Sequence, residues 1–267
     1  MKIALQEGLL PGDELAQKLD FAEELGIEGL EVPGRDLADR VDGYDRALEG
    51  RGIRLVSICG QSTFDWLDPN RDKREASIAE TRRNIEIAGY FGAVGAIVPP
   101  IFGPPRIPDL SPYKDAITLE KKLLSEIIKD LGPYASEKRT LLLLEPLNRY
   151  EQHLLRRQAD GVESIRAAND PLGAALICDF FHMHIEETST PDTLRACGKR
   201  YVAHVHIADN TRMQPGTGDI DWKAGLQALK DIGFGGYLAY ECGIDGDRPQ
   251  ALRTSVEFLR GVIDELS

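Results

Sequence analysis

Short apolar runs alternate with longer segments of helical periodicity along the whole chain. Runs of this length that are rich in Val, Ile, Leu and Ala predict buried strands. The eight predicted strands cover residues 3–5, 27–32, 53–58, 93–98, 140–145, 174–179, 202–207 and 237–241. A helical pattern follows each strand, and strands that alternate with helices favour a parallel sheet.

Two helices are well marked by their patterns. Over residues 13–25 the apolar side chains recur at helical spacing, and Gly26 follows, a residue type that commonly ends helices. Residues 71–91 repeat the design, with Ile78 and Ile85 in one apolar stripe and Arg and Glu on the opposite face.

These pairs predict an α/β fold, a single (β/α)₈ TIM barrel over residues 1–267. The chain of 267 residues is close to the ~250 typical of such a barrel. A doubly wound open sheet is the alternative, but the first strand is not followed by the Gly-rich dinucleotide motif. Proline-rich residues 99–108 predict a loop after the fourth strand, which either walls the pocket or is a stiff surface loop.

Charge and composition exclude several functions. The formal net charge is −12, from 44 acidic and 32 basic residues, so neither nucleic acid nor a membrane is expected as a partner. No apolar run approaches the ~20 residues of a membrane span, and the first residues do not resemble a signal peptide. We expect a cytoplasmic protein with four reduced cysteines and no thiolate zinc site.

Each of the last four predicted strands ends near a residue that can bind a metal. These residues are Glu145, Asp179, His206 and Glu241. A barrel brings the carboxyl ends of its strands together around one mouth, and buried carboxylates there need a positive partner. One divalent cation would supply it, and three carboxylates with one imidazole suit Mn²⁺, Mg²⁺ or Co²⁺. Individually, such residues also occur in structural salt bridges.

Three further histidines lie near this predicted site. His204 and His206 share a strand face, and we expect His204 to lie one layer deeper and to hydrogen-bond within the barrel. His182 and His184 follow Asp179 on the predicted loop, where His182 could reach a substrate. From the first half of the chain, the candidates for the mouth of the barrel are Glu7, Gln61 and Trp66, to which no motif assigns a role.

Four sequence motifs carry a family resemblance. They are EPLNRYE at 145–151, DFFH at 179–182, HVHIADNTR at 204–212 and PGTGDIDW at 215–222. In this order they resemble the sugar isomerase/epimerase superfamily with the xylose isomerase-like barrel, and within it the D-tagatose 3-epimerase (ketose 3-epimerase) group. The motifs cover the C-terminal half of the chain.

The resemblance implies a site with one Mn²⁺-like ion held by the four strand-end residues. It further implies that Glu151, His182 and Arg212 bind hydroxyl groups of a sugar substrate, because all three spacings are kept. The loop after the fourth strand departs from the group, which usually places a tryptophan there, whereas this loop offers Phe102.

The reaction expected from this set is C3 epimerisation of a ketose through a cis-enediolate, with Glu145 and Glu241 as acid and base on opposite faces. The same site would also suit a hydroxypyruvate-type isomerase, an inosose dehydratase or a 3-keto-glycoside lyase. An abasic-site endonuclease is disfavoured because all five histidines lie at or after His153. A noncatalytic sugar-binding module is the remaining alternative, and a homo-oligomer is compatible with the sequence.

Overall fold

The computed structural model describes residues 1–266, so Ser267, the last residue of the predicted domain, lies outside the described residues. Eight parallel strands close into one barrel in chain order, which confirms the predicted TIM barrel. The strands are β1 Lys2–Gln6, β2 Gly29–Pro33, β3 Arg54–Cys59, β4 Gly95–Val98, β5 Leu141–Leu144, β6 Ala174–Asp179, β7 Val202–Ile207 and β8 Tyr237–Tyr240.

The helices follow the strands and cover the outside of the barrel. Over residues 1–266 they are α1 Leu15–Glu24, α2 Val41–Leu48, α3 Arg71–Phe91, α4 Ala116–Glu137, α5 Gln158–Ala167, α6 Phe180–Glu186, α7 Thr190–Tyr201, α8 Trp222–Asp231 and α9 Arg248–Glu265. Helix α3 has the predicted bounds. Asn70 caps its first turn by accepting from the Asp72 and Lys73 amides, and Gly92 ends it in the left-handed conformation with φ of 65°.

The core has an outer and an inner layer. The main apolar cluster joins strands to the helices around them. Two smaller clusters contain buried residues from strands only, Ile97, Leu143, Ala175 and Ile177 in one, and Ala4, Val56 and Ala239 in the other. Strand-only clusters are the packed interior of a barrel. Gly29 is required there, because a Cβ at this position would lie 2.8 Å from Val56 and 2.9 Å from Ala4.

The segment between β4 and α4 forms no helix or regular strand, in agreement with the loop predicted at 99–108. The loop is tied to the segment after β5 at two points. The Gly103 amide donates to the Glu151 carbonyl at 2.7 Å, and the Gly103 carbonyl is 2.8 Å from His153 Nδ1. The same loop is also bound to α4, because the buried carboxylate of Glu120 accepts a hydrogen bond from the Arg106 amide at 2.9 Å.

His153, in the segment after β5, contacts both the loop after β4 and helix α4. Its Nε2 lies 2.5 Å from Glu120 Oε2 while its Nδ1 faces the Gly103 carbonyl oxygen. Both ring nitrogens therefore face acceptors, an environment that favours the doubly protonated imidazolium. Burial lowers the pKa of His153, but the Glu120 carboxylate and the Gly103 carbonyl outweigh burial, so that the net pKa is raised.

Across residues 1–266, no helix combines the length and apolar composition that a membrane span needs. All four cysteines are free. The cytoplasmic location and the homo-oligomer stay predictions.

The His153 contact predicts a pH-dependent stability. A raised folded pKa gives a contribution that is complete below the ordinary pKa of about 6.5 and is lost as pH rises through the folded value. Denaturant unfolding should show His153→Gln losing on the order of 1 kcal/mol at pH 6, and less at pH 9. His184→Gln, at a more exposed histidine, is the control. An equal loss at both pH values would contradict the charged contact.

Candidate metal centre and active site

Four predicted ligands come together at the carboxyl ends of four neighbouring strands. Glu145 directly follows β5, Asp179 ends β6, His206 lies on β7 and Glu241 directly follows β8. One ligand atom from each residue lies within 4.8 Å of the corresponding atoms of the other three. Residues scattered over almost 100 positions of sequence thus form one cluster because the barrel aligns the ends of its strands.

The atoms at the centre of this cluster have the character of metal ligands. His206 Nδ1 lies 3.4 Å from Glu145 Oε1, 3.8 Å from Asp179 Oδ2 and 3.0 Å from Glu241 Oε2. His206 Nδ1 and Glu145 Oε1 are buried and lack a hydrogen-bond partner within residues 1–266. Buried polar atoms without partners are costly, and a shared cation would satisfy both. The residues present therefore fit a divalent metal ion.

Asp179 is oriented by the helix that follows it. Its Oδ1 accepts from the Phe181 amide at 2.7 Å and the His182 amide at 3.2 Å, so that it caps α6, while Oδ2 faces the cluster. The prediction that His182 and His184 lie on a loop is wrong. Both lie on α6, because Asp179 serves as the helix cap as well as a candidate ligand.

Arg212 also contacts the cluster. Its Nη1 lies 2.6 Å from Asp179 Oδ2, and its Nη2 donates to Glu241 Oε2. Its guanidinium is 4.7 Å from the centre of the Phe181 ring. The resemblance implied a role toward substrate hydroxyls, and the structure brings Arg212 against two candidate ligands. The side chain partly balances the negative charge of the cluster.

His182 and Glu151 meet through a third residue that the sequence argument did not assign. Asn148 Nδ2 lies 2.8 Å from both Glu151 Oε1 and His182 Nδ1, and the Asn148 amide donates to His182 Nδ1 at 3.3 Å. Because Nδ1 accepts, the His182 proton is on Nε2, which lies 3.9 Å from Asp179 Oδ2. The signal for Asn148 was its position inside the 145–151 motif.

Glu31 on β2 is a second residue that sequence reasoning missed. It is 1% exposed and contacts both histidines of β7, with His204 Nε2 at 3.0 Å and His206 Nε2 at 2.9 Å. Burial raises the pKa of Glu31, but the two histidines outweigh burial and hold it well below its ordinary value. His204 hydrogen-bonds inside the barrel, as expected. The available signal was a lone charged residue in an apolar strand.

The two glutamates of the cluster are in different electrostatic environments. Burial raises the pKa of Glu145, and the negative charge of Glu241 raises it further. Burial also raises the pKa of Glu241, but His206 and Arg212 outweigh it, so that the pKa of Glu241 is lowered. Two carboxyl groups whose pKa values are pushed apart suit an acid and a base.

The candidates from the N-terminal half are engaged in local contacts. Glu7 pairs with Arg40 at 2.8 Å. Trp66 is buried and donates to Thr81 Oγ1 at 3.2 Å, and Gln61 accepts from the same hydroxyl at 2.7 Å.

A cavity of about 290 Å³ opens beside the cluster, lined by Gln6, Glu7, Gly8, Glu31, Val32, Pro33 and Cys59.

Comparison with known proteins identifies the family. The sequence model of xylose isomerase-like TIM barrels matches residues 19–262, nearly the whole chain. The chain belongs to the xylose isomerase-like TIM barrel family. Membership agrees with the resemblance found in the motifs at strands five to eight.

Two curated relatives within this family are sugar epimerases. The 3-dehydro-D-guloside 4-epimerase of Escherichia coli (strain K12) is 31% identical over 265 residues, covering 97% of this chain and 99% of the relative. A D-psicose 3-epimerase of Enterocloster bolteae is 33% identical over 117 residues, covering 43% of this chain and 37% of the relative.

A solved structure from the same family supports the overall likeness. The apo form of an E. coli 3-keto-D-glucoside 4-epimerase superposes with a TM-score of 0.88 at 30% identity. The match covers 98% of this chain and 99% of that chain.

The cluster predicts that the protein binds about one divalent ion per chain. Asp179→Asn should weaken Mn²⁺ binding by about tenfold or more, because it removes a charged ligand, while asparagine still caps α6. Equilibrium dialysis with metal analysis measures the affinity, and Asp13→Asn on the exposed surface is the control. Unchanged affinity in Asp179→Asn would remove that residue from the ligand set.

Proposed function

We propose that this protein is a divalent-metal-dependent epimerase of sugars that carry a ketone beside a hydroxyl-bearing carbon. One observation carries the proposal. The carboxylates of Glu145 and Glu241, from β5 and β8, both approach His206 Nδ1, at 3.4 and 3.0 Å, within the four-residue cluster. Inversion of a carbon next to a ketone needs two proton-transfer groups and a means of stabilising negative charge, and this cluster offers both.

The proposed metal ligands are Glu145, Asp179, His206 and Glu241. When bound, a divalent cation would polarise the ketone and stabilise the negative charge that develops on its oxygen. The oxygen-rich ligand set suits Mn²⁺ first, with Mg²⁺ and Co²⁺ as alternatives.

The proton transfers are assigned to the two glutamates. Glu241, whose pKa is lowered by His206 and Arg212 against the effect of burial, is assigned the removal of the proton next to the ketone. Glu145, whose pKa is raised by burial and by Glu241, is assigned the return of a proton to the opposite face. In the reverse direction the two residues exchange roles.

Glu151, His182 and Arg212 are the proposed hydroxyl-binding groups. The proton on His182 Nε2 faces the cluster, because Asn148 satisfies the other ring nitrogen. Glu151 is kept beside it by the same amide group at 2.8 Å. Arg212 holds positive charge next to Asp179 and Glu241, close to the proposed site of charge development.

A 3-keto-glycoside that is inverted at C4 is the favoured substrate. The carbon at C4 lies next to the C3 ketone, so the proposed chemistry applies unchanged. The relative that carries this activity in its name matches 97% of the chain, whereas the D-psicose 3-epimerase match covers 43%. C3 epimerisation of a free ketose is the second candidate, supported by the motifs of the C-terminal half.

Product analysis tests the substrate class. Incubated with a methyl 3-keto-D-glucoside in D₂O, the metal-loaded enzyme should form the C4 epimer with deuterium at C4, as observed by NMR. D-Fructose and D-psicose should be inverted at C3 more slowly. Faster inversion of the ketoses would favour the second candidate, and an elimination product would overturn the epimerase assignment in favour of a lyase.

Proton exchange tests the two-base assignment. Glu145→Gln and Glu241→Gln should each lower net epimerisation by about 10²–10⁴-fold, because each lacks one proton-transfer group. One variant should still exchange the substrate proton with D₂O from one epimer, and the other variant from the opposite epimer.

Metal content is measured first in both variants, since loss of the ion would abolish both reactions. Glu49→Gln on the exposed surface serves as the matched control. Wild-type epimerisation by a metal-loaded Glu241→Gln variant would show that Glu241 is not a proton-transfer group.

A further inference from the structure

Glu31 of β2 lies inside the barrel, where side chains of three other strands meet it. Its carboxylate accepts from Gln6 Nε2 of β1 at 3.0 Å and from Ser57 Oγ of β3 at 2.6 Å. On its other side lie His204 Nε2 at 3.0 Å and His206 Nε2 at 2.9 and 3.1 Å. A carboxylate that is 1% exposed, with this many donors around it, is fixed in position.

The contact with His206 determines which ring nitrogen carries the proton. Glu31 Oε1 accepts from Gln6 Nε2 and Glu31 Oε2 accepts from Ser57 Oγ, so both oxygens act as acceptors and His206 Nε2 is the donor to them. The other nitrogen, Nδ1, is then the atom that faces Glu145, Asp179 and Glu241, and it is buried without a hydrogen-bond partner within residues 1–266.

We propose that Glu31 is the positioning residue of the metal centre, which keeps His206 protonated on Nε2 and directs the Nδ1 lone pair at the ion. The inference rests on the proposed metal-dependent function and extends it to a residue outside the ligand set. A carboxylate behind a histidine ligand fixes the tautomer and ring orientation and makes the imidazole a stronger ligand.

His204 and Ser57 support Glu31 rather than the ion. His204 Nε2 lies 3.0 Å from Glu31 Oε2 and 3.2 Å from Ser57 Oγ. Gln6 adds a link to the cluster, because its Nε2 lies 3.0 Å from Glu31 Oε1 and 3.2 Å from Glu241 Oε1. One side-chain amide thus ties the positioning carboxylate to a proposed ligand and acid/base group.

A direct metal-ligand role for Glu31 is the competing interpretation. Ligand atoms of Glu31, Cys59 and His206 also lie within 4.8 Å of one another, so they could hold an ion on the Nε2 side of the imidazole. The hydrogen bonds favour the positioning role, since both Glu31 oxygens already accept from neighbouring side chains.

Metal titration distinguishes these roles. Free Mn²⁺, followed by electron paramagnetic resonance, should bind wild type at about one ion per chain. Glu31→Gln should bind the same number of ions about 10- to 100-fold more weakly, as expected for loss of an outer carboxylate. Glu49→Gln, an exposed change of the same type, should bind like wild type.

The ligating nitrogen can be measured without any variant. In the Co²⁺-loaded wild type with ¹⁵N-labelled histidine, NMR should show a strongly shifted, solvent-exchangeable proton on Nε2 of His206. This measurement keeps the inference testable where Glu31→Gln does not fold.

The outcomes separate the inference from the function on which it rests. Mn²⁺ binding by wild type with unchanged affinity in Glu31→Gln, or a metal bound through Nε2, would overturn the positioning role and leave the metal-dependent epimerase standing. Loss of one of two bound ions in Glu31→Gln would overturn it in favour of direct ligation. Wild type that binds no divalent ion would overturn both proposals.

Discussion

Three carboxylates around one buried imidazole are the constraint on which the rest of the site depends. Like charges in a poorly solvated place repel one another, and each needs compensation from the protein or from a cation. The structure supplies part of it through neighbouring groups. Arg212 contacts Asp179 and Glu241, and the backbone amides at the start of α6 donate to Oδ1 of Asp179. The atoms left facing the centre are those that a metal ion would need.

Closure of the barrel makes the two halves of the chain parts of one site. The candidate ligands come from the ends of β5 to β8, whereas Gln6, Glu31 and Ser57, which contact these ligands or one another, come from β1, β2 and β3. Gln6 reaches Glu241 because β1 pairs with β8, and Glu31 reaches His206 across the barrel interior. Small residues such as Ala4 and Ala239, together with Gly29, pack in the same interior, where a Cβ at Gly29 would lie too close to Val56 and Ala4.

The sequence could predict the features that recur along the chain, namely the strands and the ligand-type residues at the ends of the last four. Strands buried on both faces are continuous apolar runs, and four successive runs that end in ligand-type residues marked the metal cluster. Glu31 could not be found in this way, since its partner His206 is 175 residues away and no local pattern links them. The sequence did not predict the helix that contains His182, because Asp179 was interpreted only as a metal ligand. In the structure Asp179 also caps the first turn of this helix.

The proposed chemistry and the choice of sugar depend on different parts of the molecule. Proton transfer requires only a ketone, the neighbouring carbon and the two glutamates, so it is the same for a 3-keto-glycoside and a 2-ketose. Which carbon is inverted depends on how the rest of the sugar is accommodated. Under this proposal it would depend on the cavity beside Glu31 and on the loop after β4, where the ring of Phe102 packs edge-on against that of Phe64 with 4.9 Å between the ring centres. The proposed ligand cluster would therefore suit inversion at C3 or at C4, because the groups around it would decide which carbon lies between the carboxylates of Glu145 and Glu241.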